Sequence, residues 1–226
     1  MSGAGAHCFI VSGPSGSGKT TVVDYLLQRI PNLLFSVSFT TRAPRGGEQH
    51  GREYFFVQPQ EFEQMIARGE LLEYAQVFGQ YYGTHRRVLD QATREGKDLL
   101  LDIDVQGAQQ VKARLAAAVA VLLIPPSADE LERRLRARGQ DAPDVIQRRL
   151  QRAREEIESY GTYDYLVVNR DLSDTCSRVE AIVIVERAHS AGQVADPNLE
   201  AQAADARREA TKSQVSAILE SFGAHG

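Results

Sequence analysis

Between Gly13 and Thr20 the chain reads Gly-Pro-Ser-Gly-Ser-Gly-Lys-Thr, with the apolar run Cys8 to Ser12 directly before it and a helical stretch, Thr20 to Gln28, directly after. This is the pattern G-x-x-x-x-G-K-[ST] in the setting it requires, a strand that leads into a helix. The glycines let successive backbone N–H groups turn inward, where they meet phosphate oxygens at the positive end of the following helix. Lys19 adds a charge that reaches β- and γ-phosphate oxygens, and the Thr20 hydroxyl is a hard ligand for Mg²⁺. Gly13, Pro14, Ser15, Gly16, Ser17, Gly18, Lys19, Thr20 and the adjoining Thr21 therefore read as a nucleoside triphosphate site. A turn that only caps a helix would account for the glycines alone. The loop by itself names no reaction, because this fold serves many chemistries.

A phosphate loop calls for a parallel sheet, and the chain supplies the strands. Apolar runs at Cys8 to Val11, Asp98 to Asp104, Val119 to Ile124 and Tyr165 to Val168 are separated by helix-length amphipathic segments. That is the texture of an α/β fold whose parallel sheet is covered by helices on both faces. Its core is expected in residues 1–35, 91–125 and 161–189. Residues 36–90 differ: short aromatic strands (Phe35 to Phe39, Tyr54 to Val57, Leu72 to Phe78) are broken by Arg-Gly-Gly-Glu and Tyr-Tyr-Gly turns, with one helix near Gln60 to Arg68. They read as a mostly antiparallel β insertion. After Pro125-Pro126, helices over Ala128 to Ala137 and Pro143 to Tyr160 flank Arg138-Gly139-Gln140-Asp141, which reads as a helical lid over 126–160. Ser127 followed by Glu130 predicts a capping box.

From residue 190 the composition shifts to Ala, Gln and charge, so 190–226 reads as a helical or partly disordered extension. Asp196-Pro197 is a helix start, and Val215, Ile218, Leu219 and Phe222 form one apolar stripe. The stripe fits a helix packed on its own core, or a homo-oligomer contact.

Composition narrows the partners. A chain of 226 residues, 42% hydrophobic and 25% charged, can bury a core without metal or disulfide staples. Cys8 and Cys176 are read as free thiols. No apolar run is long enough for a membrane span and the start is unlike a signal peptide, so a cytoplasmic protein without a membrane partner is expected. A net charge of -4 argues against nucleic acid as a general partner. Among the 26 basic residues only four are lysine, and the arginines carry the planar fork that suits phosphate.

The insertion carries the most specific pattern. Ser36-Val-Ser-Phe-Thr-Thr-Arg42-Ala-Pro-Arg45-Gly-Gly-Glu48, then Gly51-Arg-Glu-Tyr54-Phe-Phe-Val, then Glu73-Tyr-Ala-Gln-Val-Phe-Gly-Gln-Tyr-Tyr82-Gly-Thr84, then Leu101-Asp-Ile-Asp104-Val-Gln-Gly107 closely resemble the guanylate kinases. The resemblance runs in order over about residues 8 to 187. It implies that Arg42, Arg45, Tyr54 and Tyr82 hold the phosphate of GMP, that Ser38, Glu73, Thr84 and Asp104 surround guanine, and that Glu48 and Asp102 belong to the same site. It implies further that Lys19, Arg134, Arg138 and Arg149 act on the triphosphate of ATP as the lid closes, and that Asn169 lies near adenine. Asp102 is expected in the Mg²⁺ region with Thr20. Asp104 has a second use, as a cap of the following helix. Arg133, Arg136, Arg148, Arg152 and Arg154 alternate with Glu and Gln and read as solvated helix surface. The expected reaction is Mg-ATP with GMP or dGMP, in purine nucleotide metabolism. The main alternative is a scaffold module: guanylate-kinase-like domains of scaffold proteins keep the fold and typically lack the intact phosphate loop that Lys19 and Thr20 complete here.

Overall fold

The computed structural model describes residues 7–137 and 142–223. In chain order its elements are β1 (Cys8–Ser12), α1 (Lys19–Arg29), β2 (Leu33–Phe35), β3 (Phe39–Thr40), β4 (Phe55–Phe56), α2 (Pro59–Ala67), β5 (Leu71–Val77), β6 (Gln80–His85), α3 (Arg87–Glu95), β7 (Asp98–Asp102), α4 (Val105–Arg114), β8 (Val119–Ile124), α5 (Ala128–Ala137), α6 (Pro143–Glu158), β9 (Tyr165–Val168), α7 (Leu172–Ser190), α8 (Pro197–Asp205) and α9 (Arg208–Gly223).

Strand β1 is buried along its whole length, so its sequence shows no polar alternation. Alternation still sorts its side chains. Phe9 and Val11 pack with Val22, Val23 and Leu26 of α1 and with α7. Cys8 and Ile10 point the other way, into a cluster that includes Val111 of α4, Leu131 of α5, Leu150 of α6 and Phe222 of α9. The sheet between these layers runs β2-β7-β1-β8-β9, parallel throughout. Because the chain leaves β1 toward β2 and leaves β7 toward β8, the carboxyl ends of these two neighbours flank the point where the order reverses, where such sheets bind ligands.

The second sheet runs β4-β3-β6-β5. Its β3–β6 and β5–β6 pairs are antiparallel and β3–β4 is parallel. Two expectations for this region change. The strand expected over Phe35 to Phe39 is split between the sheets: Ser36 N still bonds Leu100 O beside β7, whereas Phe39 stacks on Phe55 with ring centroids 4.7 Å apart. Tyr81-Tyr82-Gly83 is strand β6 rather than a turn. The reversal lies at Phe78 and Gly79, both at positive φ. Gly83 is needed inside the strand, since a Cβ there would lie 2.8 Å from Glu73 O and 2.9 Å from Phe62 Cζ.

Ser127 Oγ accepts from Glu130 N at 3.2 Å, as the capping box requires. The reciprocal half is replaced, because the Glu130 carboxylate binds Arg133 and Arg134 instead. The break expected at 138–141 lies outside the described residues. Asp196 caps α8 by accepting from Asn198 N. The stripe of α9 is buried in the chain's own core, with Val215 at 0% and Phe222 at 4% exposure. No described helix is long and apolar enough to cross a membrane.

Candidate active site

The loop after β1 closes over the carboxyl end of the sheet so tightly that two of its glycines admit no side chain. Gly13 has φ 143°, and a Cβ would meet Leu123 O at 2.3 Å; at Gly18, φ 99°, it would meet Asn169 Nδ2 at 2.5 Å. Lys19 opens α1 and donates from Nζ to Gly13 O at 2.6 Å. Gly13, Gly16, Gly18, Lys19, Thr20 and Thr21 line a cleft of about 400 Å³. Ser17 does not: the residue is wholly buried and its N–H donates to Pro14 O at 3.0 Å.

Asn169, expected near adenine, does not line this cleft. It is buried behind the loop, where Nδ2 donates to Ser17 O at 2.8 Å and Oδ1 accepts from Thr175 Oγ1 at 3.2 Å. It braces the loop from behind, away from the cleft. Arg134 is drawn to the same corner, with Nη2 donating to Asn169 O at 2.9 Å and Nε to Glu130 at 2.7 Å. Arg138 lies outside the described residues. Arg149 lines the cleft.

Register brings the acidic residues to the loop, for Val11 of β1 pairs with Asp102 of β7. Burial lifts the Asp102 carboxyl above its ordinary range while Lys19 pulls it back. Asp104 lies past the strand end and caps α4, Oδ1 accepting from Gly107 N at 3.0 Å. Thr20 and Asp102 both face the cleft. One hydroxyl and one carboxylate fit Mg²⁺ that keeps water and phosphate oxygens in its shell, the usual arrangement beside a triphosphate.

Across the cleft, the second sheet and its 42–48 loop assemble a cluster of arginine and tyrosine side chains. Arg42 is held by Glu48 through both carboxylate oxygens, at 3.0 and 2.9 Å, and Glu48 also takes the Arg45 N–H at 2.8 Å. The Glu48 carboxylate is thus committed to shaping the loop. The Arg42 guanidinium lies 5.3 Å from the Tyr54 ring centroid, and Tyr54 meets Tyr82 edge-on at 5.9 Å. Arg45, Tyr54 and Tyr82 face the cleft together, and Ser38 joins them. Tyr81 stacks on Phe62 at 5.1 Å.

Glu73 stands opposite Thr84 in the β5–β6 pairing, and both are buried. Burial, with Asp104 adding to it, pushes the Glu73 carboxyl up to about 7, and Thr84 and Arg114 offset part of that rise. Its strand is pinned on both sides by α4. Arg114 donates to the carbonyls of Leu71 and Leu72, and Gln110 exchanges two bonds with Tyr74, at 3.2 and 2.6 Å.

Four cleft neighbours escaped the sequence reading: Phe78, Arg152, Glu156 and Tyr163. Phe78, Arg152 and Glu156 line the cleft, and Tyr163 donates to Ser12 Oγ at 2.9 Å beneath the loop. The surface reading holds for Arg148 and Arg154, paired along their own helix with Asp144 and Glu158. It fails for Arg152. Counting from Arg149, positions 152, 153 and 156 fall at i+3, i+4 and i+7, the helical face turned to the cleft, and that spacing was the available signal.

Fold and cleft define a nucleotide-binding α/β protein in which a phosphate loop faces an arginine–tyrosine cluster and a buried carboxylate. The guanylate kinase family model matches residues 5–186. The chain is 48% identical to a guanylate kinase of Koribacter versatilis over 221 residues, covering 95% of this chain and 94% of that one. It is 47% identical to a guanylate kinase of Shewanella oneidensis, with 84% and 93% covered. The crystal structure of guanylate kinase from Anaplasma phagocytophilum superposes with a TM-score of 0.66 at 36% identity, covering 82% of this chain and 86% of that one. The chain belongs to the guanylate kinase family. It is an enzyme, a nucleotide-binding phosphotransferase.

Proposed function

We propose that this enzyme transfers the γ-phosphoryl group of ATP to GMP or dGMP, giving ADP and GDP or dGDP, as a step of purine nucleotide metabolism. The observation that carries the reading is one cleft that joins the phosphate loop to Glu73 and to the Arg45, Tyr54 and Tyr82 cluster. An ionised carboxylate only accepts hydrogen bonds, and guanine offers adjacent N1–H and N2–H₂ donors, so Glu73 takes both. Adenine presents an acceptor at N1 and would leave that acceptor facing a carboxylate, a mismatch that a polar site rejects by up to about 10⁴.

In this mechanism the GMP phosphate lies on Arg45, Tyr54 and Tyr82, with Arg42 behind them on Glu48. Its second pKa is about 6, so it attacks the γ-phosphorus in line without a general base. Lys19, the loop N–H groups and Arg149 neutralise the donor's charge and hold it in place, and placement of two polyanions is the main work of catalysis here. Thr20 and Asp102 would hold Mg²⁺, which would supply further neutralisation of the phosphates' charge. Helices α5 and α6 form the lid that excludes water, so that ATP is not spent on hydrolysis.

A coupled assay of ADP release with Mg-ATP and each of GMP, AMP, CMP and UMP at equal concentration tests this. Release that requires GMP is expected; equal silence with all four overturns the proposal.

A further inference from the structure

Arg152 joins three parts of the molecule that the chain keeps far apart. From α6 its Nη2 donates to Asp104 Oδ2 at 3.3 Å, across 48 residues, and its Nε to Glu156 at 2.9 Å. Its guanidinium carbon lies 5.2 Å from the centroid of Phe78, at the tip of the β5–β6 hairpin.

Phe78 is unusual in two ways. It has φ 50°, a left-handed conformation that suits Gly or Asn and that a bulky side chain adopts only under strain. Its side chain is also 64% exposed, so core burial does not hold it there. The Arg152 guanidinium is the partner that gives the ring a use.

We propose that Arg152 is a positioning residue for the base end of the acceptor site, a clasp that draws the lid helix α6 onto Phe78 and Asp104 together and fixes Asp104 beside Glu73. Gly107 couples the two carboxylates: its N–H binds Asp104 Oδ1 at 3.0 Å, and its missing side chain leaves the space that Glu73 Oε2 uses. With one Asp104 oxygen on Gly107 and the other on Arg152, the carboxylate is held and its charge is balanced. The same ion pair is a partition. Asp104, Arg152 and Glu156 line the nucleotide cleft on one side and a second cavity, toward Gln106 and Gln109 of α4, on the other. Loss of Arg152 opens the base end of the cleft to that cavity and to water.

The proposal rests on the guanine reading of Glu73 and Asp104, and its test separates the two. Steady-state kinetics are measured for wild type, Arg152→Ala, Arg152→Lys, Asp104→Asn, the Arg152→Ala/Asp104→Asn double variant and Phe78→Asn, each first checked by thermal melting. Phe78→Asn keeps a residue that tolerates the turn and removes only the ring. Arg152→Ala is expected to raise the KM for GMP about tenfold while kcat and the KM for ATP stay within about twofold, with Arg152→Lys, which keeps the charge but not the planar fork, recovering only part of the loss. In the Asp104→Asn background Arg152→Ala should add little, since contacting residues that act together are not additive. Phe78→Asn should raise the KM for GMP about threefold. Equal losses for ATP and GMP, full additivity with Asp104→Asn, or unchanged kinetics in Arg152→Ala would each overturn the clasp. If Arg152→Ala fails to fold, Arg152→Lys and Phe78→Asn decide between these outcomes. Wild type that ignores GMP would instead overturn the functional reading.

Discussion

Glu73 Oε2 occupies the space that a side chain at residue 107 would fill: a Cβ on Gly107 would lie 2.5 Å from it and 3.3 Å from Ile103 Cβ. The first turn of α4 and the buried carboxylate fit together only because position 107 is glycine. Gly107→Ala is therefore expected to push the Glu73 carboxylate out of place, raising the KM for GMP by about tenfold or more while the KM for ATP holds. Kinetics with both substrates varied check this; equal effects on the two would contradict it.

Glu73 also sets a pH dependence. Its ordinary value is 4.5 and burial lifts it to about 7 in the free protein. Below about pH 4.5 the carboxyl is protonated folded or unfolded and contributes nothing to pH-dependent stability. Between 4.5 and 7 the unfolded chain ionises while the folded one resists, so this group's contribution makes the free protein less stable as pH rises, and above 7 the loss is complete. GMP binding runs the opposite way, because guanine's donors need the ionised form. The expected profile has kcat/KM for GMP falling as pH drops below about 7, and Glu73→Gln flattening that limb. Parallel profiles for the two enzymes would exclude Glu73 as the titrating group.

Lys19 reaches the cleft from the first turn of α1. Replacing it with Met removes a fixed charge on the transferred group, and kcat should fall by about a hundredfold or more, on the scale of losing one stabilising donor. Binding of GMP alone, followed by calorimetry, should change little. A weaker GMP affinity of the same size would place Lys19 on the acceptor instead.

Asn169 makes a different prediction because it supports the loop from behind. Asn169→Ala strips the Ser17 carbonyl and the Thr175 hydroxyl of a buried partner, a cost of about 1–3 kcal/mol in stability. The KM for ATP should rise with it, and denaturant melts beside ATP kinetics show both. Loss of ATP affinity without loss of stability would mean that Asn169 touches the nucleotide.

Helix α9 packs against α5 and α6. Ser221 Oγ accepts from Ala128 N at the start of α5, and Phe222 is buried among core residues of the same cluster as Leu131 and Leu150. Phe222→Ala is expected to cost about 3–5 kcal/mol, read from the urea midpoint. A cost below about 1 kcal/mol would mark α9 as a loosely held appendage.

Strands β1, β7, β8 and β9, the phosphate loop and helices α5 and α6 were legible in the sequence, because each is marked by local means: a continuous apolar run, three glycines before Lys19, or a 3.6-residue stripe. The residues that gather across the cleft were marked as well, since Arg42, Arg45, Tyr54, Glu73 and Tyr82 stand in short segments with strong local patterns. What each of these side chains does to its neighbours depends on tertiary packing. Nothing near Glu48 in the sequence shows that it would grip Arg42, and nothing near Asn169 shows that it would turn behind the loop to Ser17, 152 residues away. The raised carboxyl of Glu73 arises because tertiary packing buries it away from water. Arg152 reads as surface in a run of alternating charge, and becomes part of the cleft only when α6 is laid across Asp104 and Phe78. Periodicity and motifs act over one or two turns of chain and survive in one dimension; desolvation and ion pairing are set by which elements meet, and that is decided in three.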